Sequence, residues 1–338
     1  MDIKDLAGLS EPLKKFIEVI SSGLGTISKS YFIKKNADAK AYEIKKITQA
    51  IKESQNEIDK IELKEQKLNI VSFDNQSFNR DMSLEERAHQ RIEFKERKKQ
   101  MNIEEITYKA AEQLSTESDV SKEPVDEDWI TRFFDYAEDI SNEEMQELWA
   151  RILAGEVQKP NTYSLRTLDV LRNISKDEAD IFLKFASLSI VTGNATFILN
   201  FQNEKLLQDK YQLKFKEHLL LAELGILVES ELQYKTTKTD DNVIDFTFKI
   251  GNKFILQRKL ANKPENNISV IVFTKIGQEL LQLVDLEPDI EYIQLLAARL
   301  NRQYGAIKYA DIYATLPNGK FSLSDFVDVP LSNNERCK

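Results

Sequence analysis

One segment, residues 140–168, constrains the fold of this chain most strongly, because it joins two helical patterns through a short break. Ser141 and Glu144 have the spacing of a capping box at a helix N-terminus. Pro160 cannot continue that helix, and Ser164 is a suitable N-cap for the next one. The first helix carries large apolar residues at spacings of three and four, which predicts one buried face. This face consists of Met145, Leu148, Trp149, Ile152 and Leu153.

The same segment resembles a known family. In the string NEEMQELWARILAGEVQKPNTYSLRTL, a Trp-Ala-Arg-Ile-Leu-Ala-Gly-Glu helix precedes a Ser-Leu-Arg-Thr helix, as in an uncharacterised bacterial family of unknown function. The opening DLAGLSEPLKKFIEVISSGLG and the later ADAKAYEIK are similar to the N-terminal pattern of that family. The helix around Trp149 is also distantly similar to the abortive-infection alpha family. The resemblance implies a cytosolic bacterial protein from a defence locus, and it transfers no catalytic residue.

Composition and length indicate a soluble protein with more than one part. A chain of 338 residues is long enough for two or three domains. Its 41% hydrophobic and 30% charged residues are typical of a folded, helix-rich protein. Cys337 is the single cysteine and cannot form a disulfide framework, which suits a reducing cytoplasm. No signal-peptide pattern and no apolar run of roughly 20 residues is present, so we expect a cytoplasmic protein that does not cross a membrane.

Hydrophobic periodicity predicts a mostly α chain with an α+β C-terminal part. An amphipathic helix and a long helical hairpin come first, and a central helical domain with the Trp149 motif follows. The stretch STESDVSKEPV has the composition of a linker. The predicted parts are an N-terminal segment at 1–35, a helical hairpin or coiled coil at 36–114, the linker at 115–125, the helical domain at 126–190 and a winged-helix-like α+β domain at 191–338.

Residues 5–33 form an amphipathic segment in which Ser10 is a good N-cap and Pro12 suits the first helical turn. The apolar side of this helix could lie on a membrane surface or in the groove of a partner. It could also pack on the protein itself or on a second copy. We favour packing, because Glu11 and Glu18 dilute the positive charge of the polar side.

Isoleucines at heptad spacing in residues 36–70 indicate a coiled-coil seam. Ile44, Ile51 and Ile58 follow one another every seven residues, with charged residues on either side. Two arrangements fit this pattern. One is an antiparallel hairpin with a second helix, which a Ser83–Glu86 capping box begins and which runs to about Leu114. The other is self-association through the isoleucines, so we expect a homo-oligomer or a protein partner.

Acidic residues concentrate in residues 126–156, which hold 10 Asp and Glu against 2 Lys and Arg. Such a surface opposes non-specific DNA binding. It fits a solvated helical face, and it also fits a docking surface for a basic partner. Trp149 is expected in the core rather than as a ligand platform. The interaction candidates here are Glu143, Glu144, Glu147, Trp149 and Arg151.

A basic patch lies in the second predicted helix, interleaved with Phe94. Cations on one helix face can contact nucleic-acid phosphates. Glu93 and Glu96 lie among them, and a solvated face therefore explains the patch as well. The nucleic-acid candidates are Arg91, Lys95, Arg97, Lys98 and Lys99.

The C-terminal part changes character after Ile190. Residues 197–201 alternate like a strand, and residues 217–228 are an apolar helix that reaches Gly225. Residues 243–260 predict a hairpin across Gly251-Asn252, and Thr274 caps a further helix. This order is similar to a winged helix, a fold that serves nucleic-acid or protein binding. The 217–228 helix is too apolar to read bases from solvent.

No motif for a specific reaction is recognisable. His89 and His218 lack partners at zinc-ligand spacing, and no phosphate-binding glycine loop or nucleophile elbow occurs. Asp245 and Lys249 share one face of a predicted strand, as in some metal-dependent nucleases, but such pairs arise by chance in a charged chain. We therefore expect no cofactor and a non-enzymatic interaction protein in phage defence or abortive infection. The alternatives are a nucleic-acid-binding regulator and, less favoured, a metal-dependent nuclease.

Overall fold

The computed structural model describes residues 10–24, 83–117, 119–193, 195–316 and 320–331. The chain divides into two compact units between Leu168 and Asp169, and we call them unit 1 and unit 2. Unit 1 is helical and unit 2 combines helices with an antiparallel sheet, so the predicted α+β class is confirmed. The division falls inside one helix.

Unit 1 contains four helices among its described residues, and a fifth helix crosses the division. The Ser83–Glu86 capping box forms as predicted and starts the second and longest helix. The predicted box at Ser141 is wrong, since Asn142 caps the fourth helix through a hydrogen bond from the Met145 backbone N–H. The helices are α1 Glu11–Leu24, α2 Leu84–Ser115, α3 Glu127–Ala137, α4 Glu143–Gln158 and α5 Leu165–Asn173.

Aromatic rings fill the core of unit 1. The Phe133 ring lies 5.2 Å from the Trp129 ring and 5.4 Å from the Trp149 ring. The Trp129 indole N–H donates to the Tyr163 carbonyl over 2.8 Å, which ties α3 to the residues before α5. α2 supplies Ile106, and its C-terminal half packs against α4. The apolar face predicted for α4 is therefore the centre of this core.

α1 packs on the protein itself over its described length. Its apolar side chains Leu13, Phe16 and Ile20 are buried. At Gly23 a Cβ atom would lie 2.5 Å from the Phe134 ring, so α1 and α3 approach too closely there for a larger residue. This arrangement is the packed alternative for the predicted 5–33 segment, whose residues 5–9 and 25–33 lie outside the described chain.

The predicted linker is held against unit 1 at several points. The Ser121 backbone N–H donates to the Gln158 carbonyl at the end of α4 over 2.9 Å, and the Lys15 ammonium donates to the Ser121 carbonyl over 2.8 Å. Val125 is buried. Despite its polar composition, this segment is therefore a connection between α2 and α3 that is bound to the rest of unit 1.

Unit 2 is built on an antiparallel sheet with nine strands among the described residues. The strand order is β3-β6-β2-β1-β4-β5-β7-β8, and β9 also pairs with β7. Neighbours that are far apart in sequence, such as β3 beside β6, lie next to each other in this order. The strands are β1 Ile190–Thr192, β2 Ala195–Leu199, β3 Leu232–Thr236, β4 Ile244–Ile250, β5 Lys253–Lys259, β6 Asn266–Val272, β7 Gly305–Thr315, β8 Phe321–Leu323 and β9 Val327–Asp328.

Five more helices accompany the sheet in the described part of unit 2. Ser175 and Glu178 form a capping box, and the predicted Thr274 cap is confirmed because its hydroxyl accepts from the Gly277 backbone N–H. The predicted apolar helix ends at Gly225, as expected, since its last helical residue is Glu223 and Gly225 has a φ of +71°. The helices are α6 Lys176–Ala186, α7 Lys205–Asp209, α8 Phe215–Glu223, α9 Lys275–Leu281 and α10 Ile290–Arg299.

The predicted hairpin forms, but it does not lie where a wing would. β4 and β5 pair in register across a turn in which Gly251 adopts a φ of +52°. β4 also pairs with β1, and β5 also pairs with β7, so the hairpin occupies the interior of the sheet. A winged-helix arrangement is therefore not confirmed. Local patterns identified the hairpin, whereas its neighbours come from distant parts of the chain.

The central strands have one covered face and one open face. Phe248, Ile255 and Ile307 lie buried on the covered face, where the Gln257 amide donates to the Leu300 carbonyl after α10 over 2.7 Å. On the other face the side chains alternate into solvent, as the period of a strand requires. This open face of β4, β5 and β7 carries Asp245, Thr247, Arg258 and Ala306 as exposed residues.

Candidate functional site

α2 consists of two halves with opposite environments. In its C-terminal half, Ile103, Ile106 and Leu114 are buried in unit 1. In its N-terminal half no residue from 84 to 101 is buried, and Phe94 is 69% exposed. A helix is stabilised in water chiefly by packing one face, and an isolated stretch of this length is marginal. The N-terminal half of α2 is therefore a surface on which a partner would stabilise the helix.

Cations line one side of this exposed half-helix. Arg87, Arg91, Lys95 and Lys98 are spaced by four, four and three residues, which places them on one helical face. Phe94 lies between them, three residues after Arg91 and four before Lys98. At 1.5 Å per residue the row extends about 16 Å along the helix axis. We call these five residues the basic stripe.

The predicted nucleic-acid residues divide into paired and unpaired cations. Arg97 forms an ion pair with Glu93 on α2 itself. Lys99 donates to the Glu138 carboxylate over 2.6 Å, and this hydrogen bond raises the pKa of Lys99 above its usual value. Arg91, Lys95 and Lys98 form no ion pair with any described residue. The unpaired cations are therefore the ones on the basic stripe.

Unit 1 also carries carboxylates without cationic partners. Asp128 and Asp135 lie about two turns apart on α3, and Glu143 and Glu144 begin α4. Together with Asp139 they are exposed and form no ion pair within the described chain. We call these five residues the acidic surface.

One of the three predicted acidic candidates, Glu147, behaves differently because it binds within unit 1. It accepts a hydrogen bond of 2.9 Å from the Gln113 amide on α2. Glu138, which was not among the predicted candidates, pairs with Lys99 next to the acidic surface. These contacts fix the middle and the C-terminal half of α2 to the end of α3 and to α4. Glu143 and Glu144 therefore remain at the surface, whereas Glu147 is engaged in the unit.

The Trp149 motif belongs to the scaffold. Trp149 is fully buried, and its indole N–H has no acceptor among the described residues. At Gly155 a Cβ atom would lie 3.0 Å from the Tyr163 ring, so the absence of a side chain leaves the space that this ring occupies. Arg151 is exposed on the opposite side of α4. Trp149 is thus not available to a partner at the surface, as its assignment to the core implied.

The isoleucine seam cannot be placed. Ile44, Ile51 and Ile58 lie outside the described residues.

In unit 2, the predicted pair of Asp245 and Lys249 lies on the open face of the sheet. Asp245 accepts two hydrogen bonds from the Arg258 guanidinium, at 3.0 and 2.9 Å, and these bonds lower the pKa of Asp245. Lys249 forms no ion pair with a described residue. No group of three or more His, Cys, Asp or Glu residues in the described ranges could hold a metal ion. Both oxygens of the Asp245 carboxylate thus already accept hydrogen bonds from Arg258.

A buried lysine is the feature that sequence reasoning missed. Lys259 is completely buried and faces Gly305 across the β5–β7 pair. Its ammonium donates to the Thr237 carbonyl over 2.8 Å and lies 5.6 Å from the ring centroids of Phe246 and Tyr304. Burial lowers the pKa of Lys259. Side chains alternate between the two faces along β5, and this alternation places Lys259 on the covered face. It was the only sequence pattern that could have indicated the burial of this lysine.

Comparison with known proteins identifies the family of this chain. A family model described as a protein of unknown function (DUF2806) matches residues 86–297. The chain belongs to this family. The match includes the WARILAGE helix and strands β1 to β6 and ends within α10, so it covers parts of both units, while β7, β8 and β9 follow it. No curated protein and no solved structure is significantly similar to the chain. The family of unknown function that the sequence suggested is therefore confirmed, and DUF2806 brings no assigned activity with it.

No described helix is long and apolar enough to cross a membrane.

Proposed function

We propose that this protein is an interaction protein that acts by self-association, in which the basic stripe of one copy contacts the acidic surface of a second copy. One observation carries the proposal: among the described residues of unit 1, none covers the half-helix along which the unpaired cations lie, and the same residues include carboxylates that form no ion pair. Because one chain carries both charged surfaces, the basic stripe of each copy can contact the acidic surface of the other copy. Such an arrangement is a closed, isologous dimer with two identical contacts.

Phe94 adds an apolar anchor to this electrostatic contact. It is 69% exposed and lies within the basic stripe. Aromatic and arginine side chains supply much of the binding energy in interfaces of this kind. Charge complementarity contributes mainly to the association rate and to the choice of partner. In the proposed dimer, Arg91 and Phe94 provide affinity and the lysines fix the orientation of the half-helix.

The proposal is tested by reversing charges and then exchanging them. The Lys95→Glu/Lys98→Glu variant places carboxylates opposite the acidic surface, and we expect it to be monomeric by sedimentation velocity at a concentration where the native protein is a dimer. The Glu143→Lys/Glu144→Lys variant should also be monomeric. An equimolar mixture of the two variants should recover the dimer, because each stripe then meets an acceptor of opposite charge.

A matched control separates this contact from general charge effects. Lys205→Glu/Lys216→Glu changes the net charge by the same amount at two exposed lysines of unit 2, and it should leave the dimer unchanged. A native protein that is monomeric throughout, a control that dissociates equally, or a mixture that stays monomeric would each contradict the proposal.

Nucleic-acid binding is a second candidate, because Arg91, Lys95 and Lys98 are unpaired and share a face with an aromatic residue. Phosphate contacts and base stacking use these residue types. The nearby acidic surface repels a polyanion, which is why we prefer self-association. A labelled RNA or DNA probe distinguishes the two candidates. Its binding should be lost in Lys95→Glu/Lys98→Glu and strengthened in Glu143→Lys/Glu144→Lys if nucleic acid is the ligand.

The cellular setting that we propose, bacterial phage defence, rests on the resemblance of the residue 142–168 segment to defence-associated families. Plating a diverse phage panel on cells with and without the gene tests it. If the gene reduces plaque formation and the Lys95→Glu/Lys98→Glu variant does not, defence depends on self-association. Equal plating on both strains would contradict the proposed role in phage defence.

A further inference from the structure

A cavity of about 650 Å³ opens in unit 2 beside the open face of the sheet. Val191, Thr196 and Lys249 from three adjacent strands form one side of it. The opposite side comes from α9 and the segment that follows it, through Gln278, Gln282, Asp285 and Leu286. The proposed self-association uses none of these residues.

Two side chains of opposite charge line the cavity without pairing. Lys249 forms no ion pair with a described residue, and its ammonium lies 5.8 Å from the Phe321 ring centroid. Asp285 has no cationic partner within the described chain and does not pair with Lys249. Elsewhere in unit 2, partly buried charges such as Lys210 and Asp289 do form ion pairs. The cavity therefore offers one positive and one negative group at the same time.

Two hydroxyls add to this chemistry. Ser189 is 3% and Thr196 is 5% exposed, and both residues line the cavity. Neither hydroxyl makes a hydrogen bond to any described residue, in contrast to the hydroxyl of Thr274, which accepts from Gly277. Neither oxygen is a buried atom without a partner, so both are accessible to a molecule in the cavity. A bound molecule with oxygen acceptors would accept hydrogen bonds from them.

The frame of the cavity is held by close backbone packing. Gly251, with a φ of +52°, lies against the Leu286 carbonyl, and a Cβ atom at this position would collide with that oxygen. The Ile312 backbone N–H donates to the Asn252 carbonyl over 2.8 Å. The β4–β5 turn, the segment after α9 and β7 are therefore fixed relative to one another. A site with fixed walls loses little entropy when a ligand binds.

We propose that this cavity binds a small zwitterion of the amino-acid or dipeptide class. Lys249 and the hydroxyls of Ser189 and Thr196 would hold the carboxylate of the ligand, and Asp285 would hold its ammonium group. The amides of Gln278 and Gln282 are suited to a peptide group between the two ends. A cavity of this size accommodates a dipeptide together with ordered water.

The experiment uses the full-length protein and three related probes: the dipeptide Ala-Leu, its N-acetylated form and its C-terminal amide. Calorimetry should show binding of Ala-Leu, and removal of either terminal charge should weaken the affinity about tenfold or more, as expected for a hydrogen-bonded charge. Lys249→Gln should abolish the difference between Ala-Leu and its amide. Asp285→Asn should abolish the difference between Ala-Leu and its acetylated form.

Lys205→Gln is the control variant, since this exposed lysine lies outside the cavity, and it should bind Ala-Leu as the native protein does. The proposal is wrong if none of the probes binds at millimolar concentration, if all three bind equally, or if Lys249→Gln and Asp285→Asn retain the native preferences. Sedimentation of the same samples shows whether self-association is intact, so failure of one proposal is distinguishable from failure of the other.

Discussion

Glu156 shows how a single residue connects two elements of unit 1. It is 2% exposed at the end of α4, and its carboxylate accepts hydrogen bonds from the backbone N–H groups of Asn161 and Tyr163, at 2.6 and 2.9 Å. Asn161 has a φ of +66°, so the chain turns sharply there. The carboxylate thus holds the turn that places the Tyr163 ring against Gly155. The same turn positions the Tyr163 carbonyl, which accepts the hydrogen bond from the Trp129 indole N–H.

At the residue scale we predict that Glu156→Gln destabilises the protein. The amide would present a donor where two backbone donors point, which leaves one buried N–H without an acceptor. Such a loss costs about 1–3 kcal/mol of the free energy of unfolding. Urea denaturation measures the change. Glu144→Gln, at an exposed position of the same helix, should alter the free energy of unfolding by less than about 0.5 kcal/mol when both variants are measured at a concentration where any dimer is dissociated. Equal effects of the two changes would contradict this role of Glu156.

At the scale of the element, α2 combines a packed half and an exposed half in one continuous helix. The capping box at Ser83 fixes its start, and Ile103, Ile106 and Leu114 fix its end in the core. The middle of the helix is joined to α3 by the ion pair between Lys99 and Glu138. The exposed half therefore extends in a fixed direction from the packed half of the helix, although no described residue packs over it.

The same substitution in the two halves of α2 should have different consequences. Ile106 is completely buried, and Ile106→Ala should cost about 2–5 kcal/mol because it removes buried methyl groups and leaves a cavity. Ile92 is 53% exposed, and Ile92→Ala should change the free energy of unfolding by less than about 0.5 kcal/mol. Urea denaturation at low protein concentration, where any dimer is dissociated, compares the two. A large loss at Ile92 would show that another part of the chain covers this half-helix.

At the scale of the whole molecule, the distribution of charge matters more than its total. The chain has a net charge of −9, yet the basic stripe places four cations on one helix face. A protein with this overall charge would repel a second copy in most orientations. The proposed dimer is the orientation in which attraction between the stripe and the acidic surface exceeds that repulsion.

Salt should therefore weaken the dimer. The Debye length falls from about 10 Å at 0.1 M salt to about 3 Å at 1 M, so attraction between exposed charges is screened. We expect the dissociation constant from sedimentation equilibrium to rise about tenfold or more over this range. An association that salt leaves unchanged or strengthens would instead indicate an apolar interface, for which the predicted seam at Ile44, Ile51 and Ile58 is the candidate.

Local features of this protein were predictable because their causes are local. The capping signals at Ser83 and Thr274 and the Gly251 turn act within a few residues, and all three form as predicted. Ser141 failed because its hydroxyl accepts a hydrogen bond from the Asn102 amide on α2, a residue 39 positions away, and Asn142 became the cap.

The sequence by itself determined the family, the α+β class, the Trp149 core helix and the positions of the charges. Only the tertiary structure decided which cations are unpaired, because Lys99 meets Glu138 across two helices while Lys95 and Lys98 meet no described carboxylate. It also decided that the 244–259 hairpin lies inside a sheet and that Lys249 and Asp285 line the same cavity. These outcomes depend on pairing between residues far apart in the chain, which hydrophobic periodicity and capping signals do not encode.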